Sequence, residues 1–221
     1  AGRGGRRILL LLVGRSSSSG GGGGGSGGVV GGGGLVWAVA SSGAVAARMG
    51  ALLWLWFAAA LGFYGISLYV GHFGGGLYLN ALLSACVEFP GKVLAYVLTS
   101  IPWLGTRVPV TAFYLVSGLG CCLIAFAPPA AGMALAMAAK MNLTAAFAAL
   151  YHYSHDFFPT PQRNVGLGLC SQAARVGGLV APQVIVLVPG LRAMHAYGGT
   201  ALVAAFFMGC VLPGHTATHD S

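Results

Sequence analysis

Residues 151–182 read YHYSHDFFPTPQRNVGLGLCSQAARVGGLVAP, and the rest of the chain is arranged around this stretch. It begins as the end of one apolar segment, turns through two prolines between Asp156 and Arg163, and enters a second apolar segment. Arg175 lies in the middle of that second segment. A charge at the centre of a membrane helix costs about 2.5–3.5 kcal/mol on insertion scales, so such a residue points to function.

The composition is that of a membrane protein. Of the 221 residues, 57% are hydrophobic and 6% are charged, whereas a soluble domain carries about 25% charged residues. A membrane helix needs about 20 apolar residues. Suitable segments are residues 51–70 (span A), 77–101 (span B), 108–126 (span C), 132–155 (span D), 165–188 (span E) and 197–212 (span F). The sequence therefore predicts an all-α membrane protein with six transmembrane helices.

Residues 151–182 contain Y-x-Y-S-x-D-x-F-P-T-x-x-R-N-x-G-x-G-x-x-S-x-x-x-R-x-G-G-x-x-x-P. This pattern resembles the turn between helices ten and eleven of the organic cation, carnitine and organic anion transporters, a branch of the major facilitator superfamily. Three other stretches resemble the family. Residues 56–92 resemble its helices seven and eight, and residues 108–156 resemble the helix pair that follows. Between them, Gly105, Arg107 and Pro109 resemble the loop after helix eight. The resemblance implies one six-helix half of a major facilitator fold, the C-terminal one, since members have twelve spans in two halves.

Three regions are expected. Residues 1–47 form a Gly/Ser-rich cytoplasmic segment, residues 48–213 the six-helix transmembrane half, and residues 214–221 a cytoplasmic tail. The first region is either a flexible tether or a poorly constrained segment, because its glycines lose much entropy on ordering and offer nothing to pack. One side of the predicted topology collects Arg3, Arg6, Arg7, Arg15, Arg48, Arg107 and Arg163, and this bias places that side in the cytoplasm.

Charged residues inside the spans are the candidate binding residues. Glu88 and Lys92 are four residues apart and therefore share one helix face. They either neutralise each other for insertion or line a transport cavity. The resemblance implies the second role, because Glu88 matches a position linked with cation recognition and Lys92 one linked with anion recognition. Arg175 matches an Arg of anion- and carnitine-type members and implies an anionic or zwitterionic substrate; otherwise it is buried against Glu88 or helix carbonyls.

Aromatic side chains complete the predicted site. Phe63 and Tyr64 in span A match a paired-aromatic site of the family, and Phe147 and Tyr151 in span D are one helical turn apart. Such rings offer flat apolar walls and cation–π sites to bulky organic ions. Ordinary helix packing is the alternative for each ring, and Tyr64 is the strongest candidate for binding. Lys140, also in span D, is expected to support the fold or reach an interface rather than bind substrate.

Three charged residues at the cytoplasmic side are predicted to gate the transporter. Asp156, where the family usually has Glu, and Arg163 flank the turn between spans D and E, and Arg107 belongs to the loop between spans B and C. An acid and a base near a helix junction can close in one conformation and separate in the other. The alternative is a surface ion pair of little value. Pro102 and Trp103 replace an Asp and an Arg of the family, which removes gating charges.

Other classes of function lack support in the sequence. The basic residues are too scattered for a nucleic-acid-binding face, and there is no phosphate loop, catalytic triad or paired-carboxylate site, so neither an enzyme nor a cofactor is expected. Two histidine pairs, His152 with His155 and His215 with His219, have a spacing that can bind a metal, but neither has an evident third ligand, and no metal is expected. The five cysteines contain no CxxC pair and are interpreted as packing residues.

The resemblance implies a multi-pass secondary transporter of small organic ions, most commonly in the plasma membrane. Substrate would bind between this half and a missing N-terminal half, within the lipid bilayer, and would be carried by alternating access. Two alternatives remain at this point. The chain could be a non-transporting membrane fragment or an interaction partner of intact transporters, or its substrate could be a cation held by Glu88 and the aromatic residues.

Overall fold

The computed structural model describes residues 43–72, 76–101, 103–124, 126–158, 163–188, 190 and 192–212. Within these ranges the helices are α1 (Gly43–Tyr69), α2 (Leu77–Cys86), α3 (Glu88–Thr99), α4 (Arg107–Ile124), α5 (Pro129–Phe157), α6 (Arg163–Leu187) and α7 (Arg192–Cys210). A 3-10 turn, Val70–His72, follows α1, and the same ranges contain no strand. The predicted Gly/Ser-rich segment up to residue 42 and the predicted tail lie outside the described residues.

Six helical segments in the described ranges are long and apolar enough to cross a membrane, as predicted. They are Val45–Tyr69, Tyr78–Thr99, Arg107–Ile124, Ala131–Phe157, Arg163–Leu187 and Arg192–Cys210. The first begins at Val45 rather than 51, and the last at Arg192 rather than 197. In both cases an arginine (Arg48 or Arg192) interrupts the apolar run near the helix start, where a long charged side chain can reach the interface.

The second span consists of α2 and α3, which meet at Val87. Pro90 has no N–H group, so the carbonyl of Cys86 loses its partner four residues later. Val87 nevertheless keeps helical angles (φ −69°, ψ −21°), and its N–H donates to the carbonyl of Leu83 at 3.1 Å. The span therefore runs through one weakened turn, and Glu88 follows directly after it.

Helix α1 is the centre of the bundle. It packs against α5, α6 and α7, while α4 packs against α5 and α7. The second span packs mainly on α5, and α6 packs mainly on α1. In their most apolar stretches, 61% of the residues of the first span are buried, against 17% for the second and 22% for the fifth. The second span and α6 therefore lie at the edge of the bundle and leave wide faces uncovered.

Small residues allow the closest helix contacts. A Cβ atom on Gly177 of α6 would lie 2.4 Å from the carbonyl oxygen of Phe57 on α1, and one on Gly65 would lie 2.4 Å from the ring of Tyr197. Only a hydrogen fits at these two positions. Packing of small residues is a main source of association between helices in membranes, where there is no hydrophobic driving force between them.

Buried hydrogen bonds also join the spans. The Tyr114 hydroxyl donates to the carbonyl of Leu55 at 2.6 Å, and the Tyr197 hydroxyl donates to the carbonyl of Ala181 at 2.7 Å. These bonds link α4 to α1 and α7 to α6. Polar groups in the hydrocarbon region need internal partners, since water is absent there.

Basic residues gather at one end of the bundle. Arg107, the first residue of α4, donates from Nε to the carbonyl of Met208 at 3.1 Å and from Nη2 to the carbonyl of Gly209. Arg48 and Arg107 both lie within electrostatic reach of Tyr153, near the end of α5. Arg192 begins α7 at the other end. This distribution agrees with the predicted orientation, in which the arginine-rich end is cytoplasmic.

Candidate functional site

A cavity of about 320 Å³ lies between α1, α3 and α5. Its lining residues are Ala60, Phe63, Tyr64, Glu88, Lys92, Thr144, Phe147, Ala148 and Tyr151. The volume falls within the range of roughly 300–1,000 Å³ of small-molecule sites. The structure therefore brings together five of the six residues predicted to bind substrate, Arg175 being the exception. Their role in binding stays a prediction.

Helical periodicity explains this gathering of residues. Each of the three helices contributes residues that are three or four positions apart. They are Ala60 and Tyr64 on α1, Glu88 and Lys92 on α3, and Thr144, Ala148 and Tyr151 on α5. Positions at this spacing lie on one face of a helix. The three faces converge because α5 packs against both α1 and α3.

The aromatic wall of the cavity is supported from behind. Trp56 is fully buried, and its ring lies edge-on to Tyr151 at 4.5 Å and to Phe147 at 5.3 Å between centroids. Phe63 and Tyr64 form a second edge-on pair at 5.3 Å. Such geometry favours aromatic pairs beyond the area that they bury. Tyr64 and Tyr151 are half exposed, so their rings are open to a ligand.

Glu88 pairs with Lys140 and not with Lys92. The Lys140 Nζ lies 2.9 Å from Glu88 Oε1, and it also donates to the side-chain oxygen of Ser84 at 2.5 Å and to its carbonyl at 3.1 Å. The Lys140 side chain is 3% exposed and that of Glu88 31%. The Phe63 ring covers Nζ at 4.9 Å. Lys140 thus joins α5 to both sides of the weakened turn in the second span.

This ion pair was not predicted from the sequence, which offered Lys92 and Arg175 as partners of Glu88. Lys140 is 52 positions from Glu88, beyond any local rule of helix spacing. One signal could have found it. A lysine inside a membrane span needs a counter-charge, and only three residues of the chain are acidic, of which Glu88 alone lies well inside a span.

Lys92 is the exposed cation of the cavity. It lines the space one turn after Glu88 and forms no ion pair with any residue that the structure describes. Since Lys140 already neutralises Glu88, the local charge of the cavity wall is positive. A wall of this charge would complement an anionic group.

Arg175 lies beside the cavity rather than in it. It is exposed on α6 and forms no hydrogen bond or ion pair among the described residues. A Cβ atom on Gly178, one turn later, would lie 3.1 Å from the ring of Tyr64, which lines the cavity. The alternative of an arginine buried against Glu88 or helix carbonyls is wrong.

The predicted gating residues are not joined to one another. Asp156 is exposed at the end of α5, and Arg163 is half buried at the start of α6, with its Nε buried and without a described hydrogen-bond partner. No ion pair links them, whereas Arg107 binds the last carbonyls of α7. Their gating role stays a prediction. Across the described ranges, no group of three or more His, Cys, Asp or Glu could hold a metal.

No family model matches the chain. The chain is similar to solute carrier family 22 member 15 of Xenopus tropicalis, with 35% identity over 176 residues that cover 73% of this chain and 32% of that protein. It is 33% identical to solute carrier family 22 member 1 of Bos taurus, over 75% of this chain and 29% of the relative. It is 32% identical to organic cation/carnitine transporter 2 of Homo sapiens, over 60% of this chain and 24% of the relative. The chain thus spans about a third or less of these relatives.

A solved structure supports the fold. A crystal structure of the peptide transporter POT in complex with sulfate matches 74% of this chain and 36% of its own, with a TM-score of 0.51 and 20% sequence identity. With the six apolar helices, it confirms the predicted class, an all-α membrane protein whose helices form one half of a major facilitator fold. The relatives are solute carriers and not enzymes, which agrees with the prediction from the sequence.

Proposed function

Since the homologues of this multi-pass membrane chain are members of solute carrier family 22, we propose that it forms part of a secondary transporter of small organic ions. The observation that carries the proposal is the cavity between α1, α3 and α5, which combines aromatic walls with an unpaired lysine. Such a site suits a small organic ion with an apolar body and one charged group. The proposed location is the plasma membrane, which the resemblance to this transporter family implies.

Substrate would bind against one wall of a larger cavity. In a major facilitator transporter, two six-helix halves enclose the substrate near the midplane of the bilayer. Here the second span and α6 keep wide uncovered faces, as expected for helices that meet a second, N-terminal half. Rocking of the two halves about the bound ion would open the site to each side in turn, with no covalent step.

The charge of the site favours an organic anion or zwitterion. Lys92 would attract a carboxylate, and the rings of Tyr64 and Tyr151 would contact its apolar body. Arg175 would contribute from the exposed face of α6, outside the cavity, by holding a carboxylate through two parallel bonds. Asp156, Arg163 and Arg107 would act at the cytoplasmic end, where a change of conformation could break or form their contacts.

Uptake by reconstituted vesicles tests this function. Proteoliposomes that contain the full chain together with an N-terminal six-helix half of the same family should accumulate radiolabelled benzoate in a saturable manner, and excess unlabelled benzoate should compete. Empty liposomes and liposomes with the Lys92→Met variant are the controls. Absence of saturable uptake would contradict transport by this chain and would favour a non-transporting membrane protein that associates with intact transporters. Competition by tetraethylammonium alone would instead favour a cationic substrate.

A further inference from the structure

We propose that Lys140 determines the charge preference of the cavity from behind its wall. By pairing with Glu88, it leaves Lys92 as an unpaired cation toward the ligand, so that the cavity takes small organic anions. This inference rests on the proposed function, because it concerns the same cavity.

Lys140 does not face the space in which a ligand would bind, but it contacts residues that line that space. Lys140 is buried and does not line the cavity, whereas Glu88 and Phe63, two of its contacts, do. Its Nζ is held by Glu88, by two oxygen atoms of Ser84 and by the Phe63 ring. It is therefore a positioning residue, which acts on substrate through Glu88.

Two lysines compete for one carboxylate. Lys92 is one helical turn from Glu88, at a spacing at which the two could pair. Lys140 approaches the same carboxylate from the buried side, where a charge pair is stronger and an unpaired ammonium costs more. The structure shows the outcome of this competition, since Glu88 lies 2.9 Å from Lys140 and forms no ion pair with Lys92.

The net charge of the three groups is then the quantity that selects the substrate. With Lys92, Lys140 and Glu88 ionised it is +1. Lys140→Met lowers it to 0 and frees Glu88 to pair with Lys92. Glu88→Gln raises it to +2, and the double variant Glu88→Gln/Lys140→Met returns it to +1. The preference for anions over cations should increase with this net charge: it should be lowest in Lys140→Met, intermediate in the wild type and the double variant, and highest in Glu88→Gln.

Equilibrium binding to the purified full chain in lipid nanodiscs tests the proposal without requiring transport. The probes are radiolabelled benzoate and tetraethylammonium, and the measured quantity is the ratio of their affinities. The wild type should prefer benzoate. Lys140→Met should lower the ratio by about tenfold or more, because Glu88 would then neutralise Lys92, the cation that lines the cavity. Glu88→Gln should raise it by a similar factor.

Three variants separate charge selection from a purely structural role. Lys140→Arg should keep the wild-type ratio, and the double variant should recover most of the preference that Lys140→Met loses. Arg192→Met removes a positive charge from the far end of α7 and should change nothing. If Lys140→Met does not fold, the test is that Glu88→Gln raises the ratio above that of the wild type and that the double variant returns it to near the wild-type value.

Retention of the wild-type ratio by Lys140→Met would overturn the proposal, as would a double variant that fails to recover it. The same holds if the wild type binds neither ion or prefers tetraethylammonium. Normal binding without uptake by proteoliposomes would remove only the proposed transport function. The two proposals therefore fail by different results.

Discussion

The indole Nε1 of Trp56 on α1 donates a hydrogen bond of 3.0 Å to the hydroxyl of Ser154 on α5. Both residues are buried, and the Trp56 ring supports Phe147 and Tyr151 in the cavity wall. One polar contact between two spans therefore helps to hold the aromatic side of the candidate site in place.

Replacement of Ser154 by Ala should destabilise the bundle. The Trp56 N–H would lose its partner in a buried position, and hydrogen bonds between membrane helices contribute about 0.6–2 kcal/mol. We expect a lower midpoint of thermal unfolding in detergent, followed by tryptophan fluorescence. The matched control is Thr99→Val, since the Thr99 hydroxyl bonds only to carbonyls of its own helix. Equal midpoints for Ser154→Ala and the wild type would show that this bond contributes nothing.

Substitution of Gly177 should separate α6 from α1. A Cβ atom at this position would lie 2.4 Å from a backbone oxygen, which cannot move aside without a shift of the helix. Overpacking of this kind costs about 1–3 kcal/mol or more. Gly177→Ala should therefore lower the unfolding midpoint, measured by the same fluorescence.

Gly168→Ala on the same helix provides the control for Gly177. A Cβ atom at Gly168 would meet nothing within 4 Å. Alanine favours a helix over glycine by about 0.8–1.0 kcal/mol, so this variant should be as stable as the wild type or more so. A similar loss in both variants would contradict the proposed close contact between α6 and α1.

Loss of Arg107 should loosen the end of α7. Its guanidinium binds the carbonyls of Met208 and Gly209, which have no partner later in that helix. Arg107→Met should speed hydrogen–deuterium exchange of residues 205–212, and Arg107→Lys should restore only part of the protection because an ammonium lacks the planar fork. Arg192→Met, at the opposite end of α7, should leave the exchange of these residues unchanged. Unaltered exchange in Arg107→Met would show that the contact does not restrain α7.

Lys92 and Arg175 should differ in their effect on an anionic substrate. Lys92 lines the cavity, and Arg175 is not among the residues that line it. We expect Lys92→Met to weaken benzoate binding by about tenfold or more and Arg175→Ala to weaken it less, with equal amounts of each variant in the membrane. Equilibrium binding to purified protein compares them. A larger loss in Arg175→Ala would place the anion on the exposed face of α6.

Much of the fold follows from local patterns. Hydropathy and length located all six spans, because a membrane helix must satisfy its own backbone groups and bury its side chains in lipid, wherever its neighbours are. The boundaries at Val45 and Arg192 were less well predicted, since a terminal arginine can reach the interface from within a helix. Helical spacing likewise placed Glu88 with Lys92, and Phe147 with Tyr151, on common faces.

The partners of the charged residues depended on how the helices pack. Nothing local to Glu88 distinguishes Lys92, four residues away, from Lys140 on another helix, yet the structure selects Lys140. The same holds for Arg175, whose position in the middle of a span suggested a binding role, although in the folded chain it is exposed on α6 and does not line the cavity.

The sequence by itself determined the six spans, the faces on which the chemistry-bearing residues lie and the resemblance to a transporter family. Only the tertiary structure decided which face meets which, and with it the Glu88–Lys140 pair and the free charge of Lys92. The physical reason is that periodicity is a property of a single helix. The pairing of buried charges depends instead on distances between helices that small-residue contacts, such as the one at Gly177, bring together.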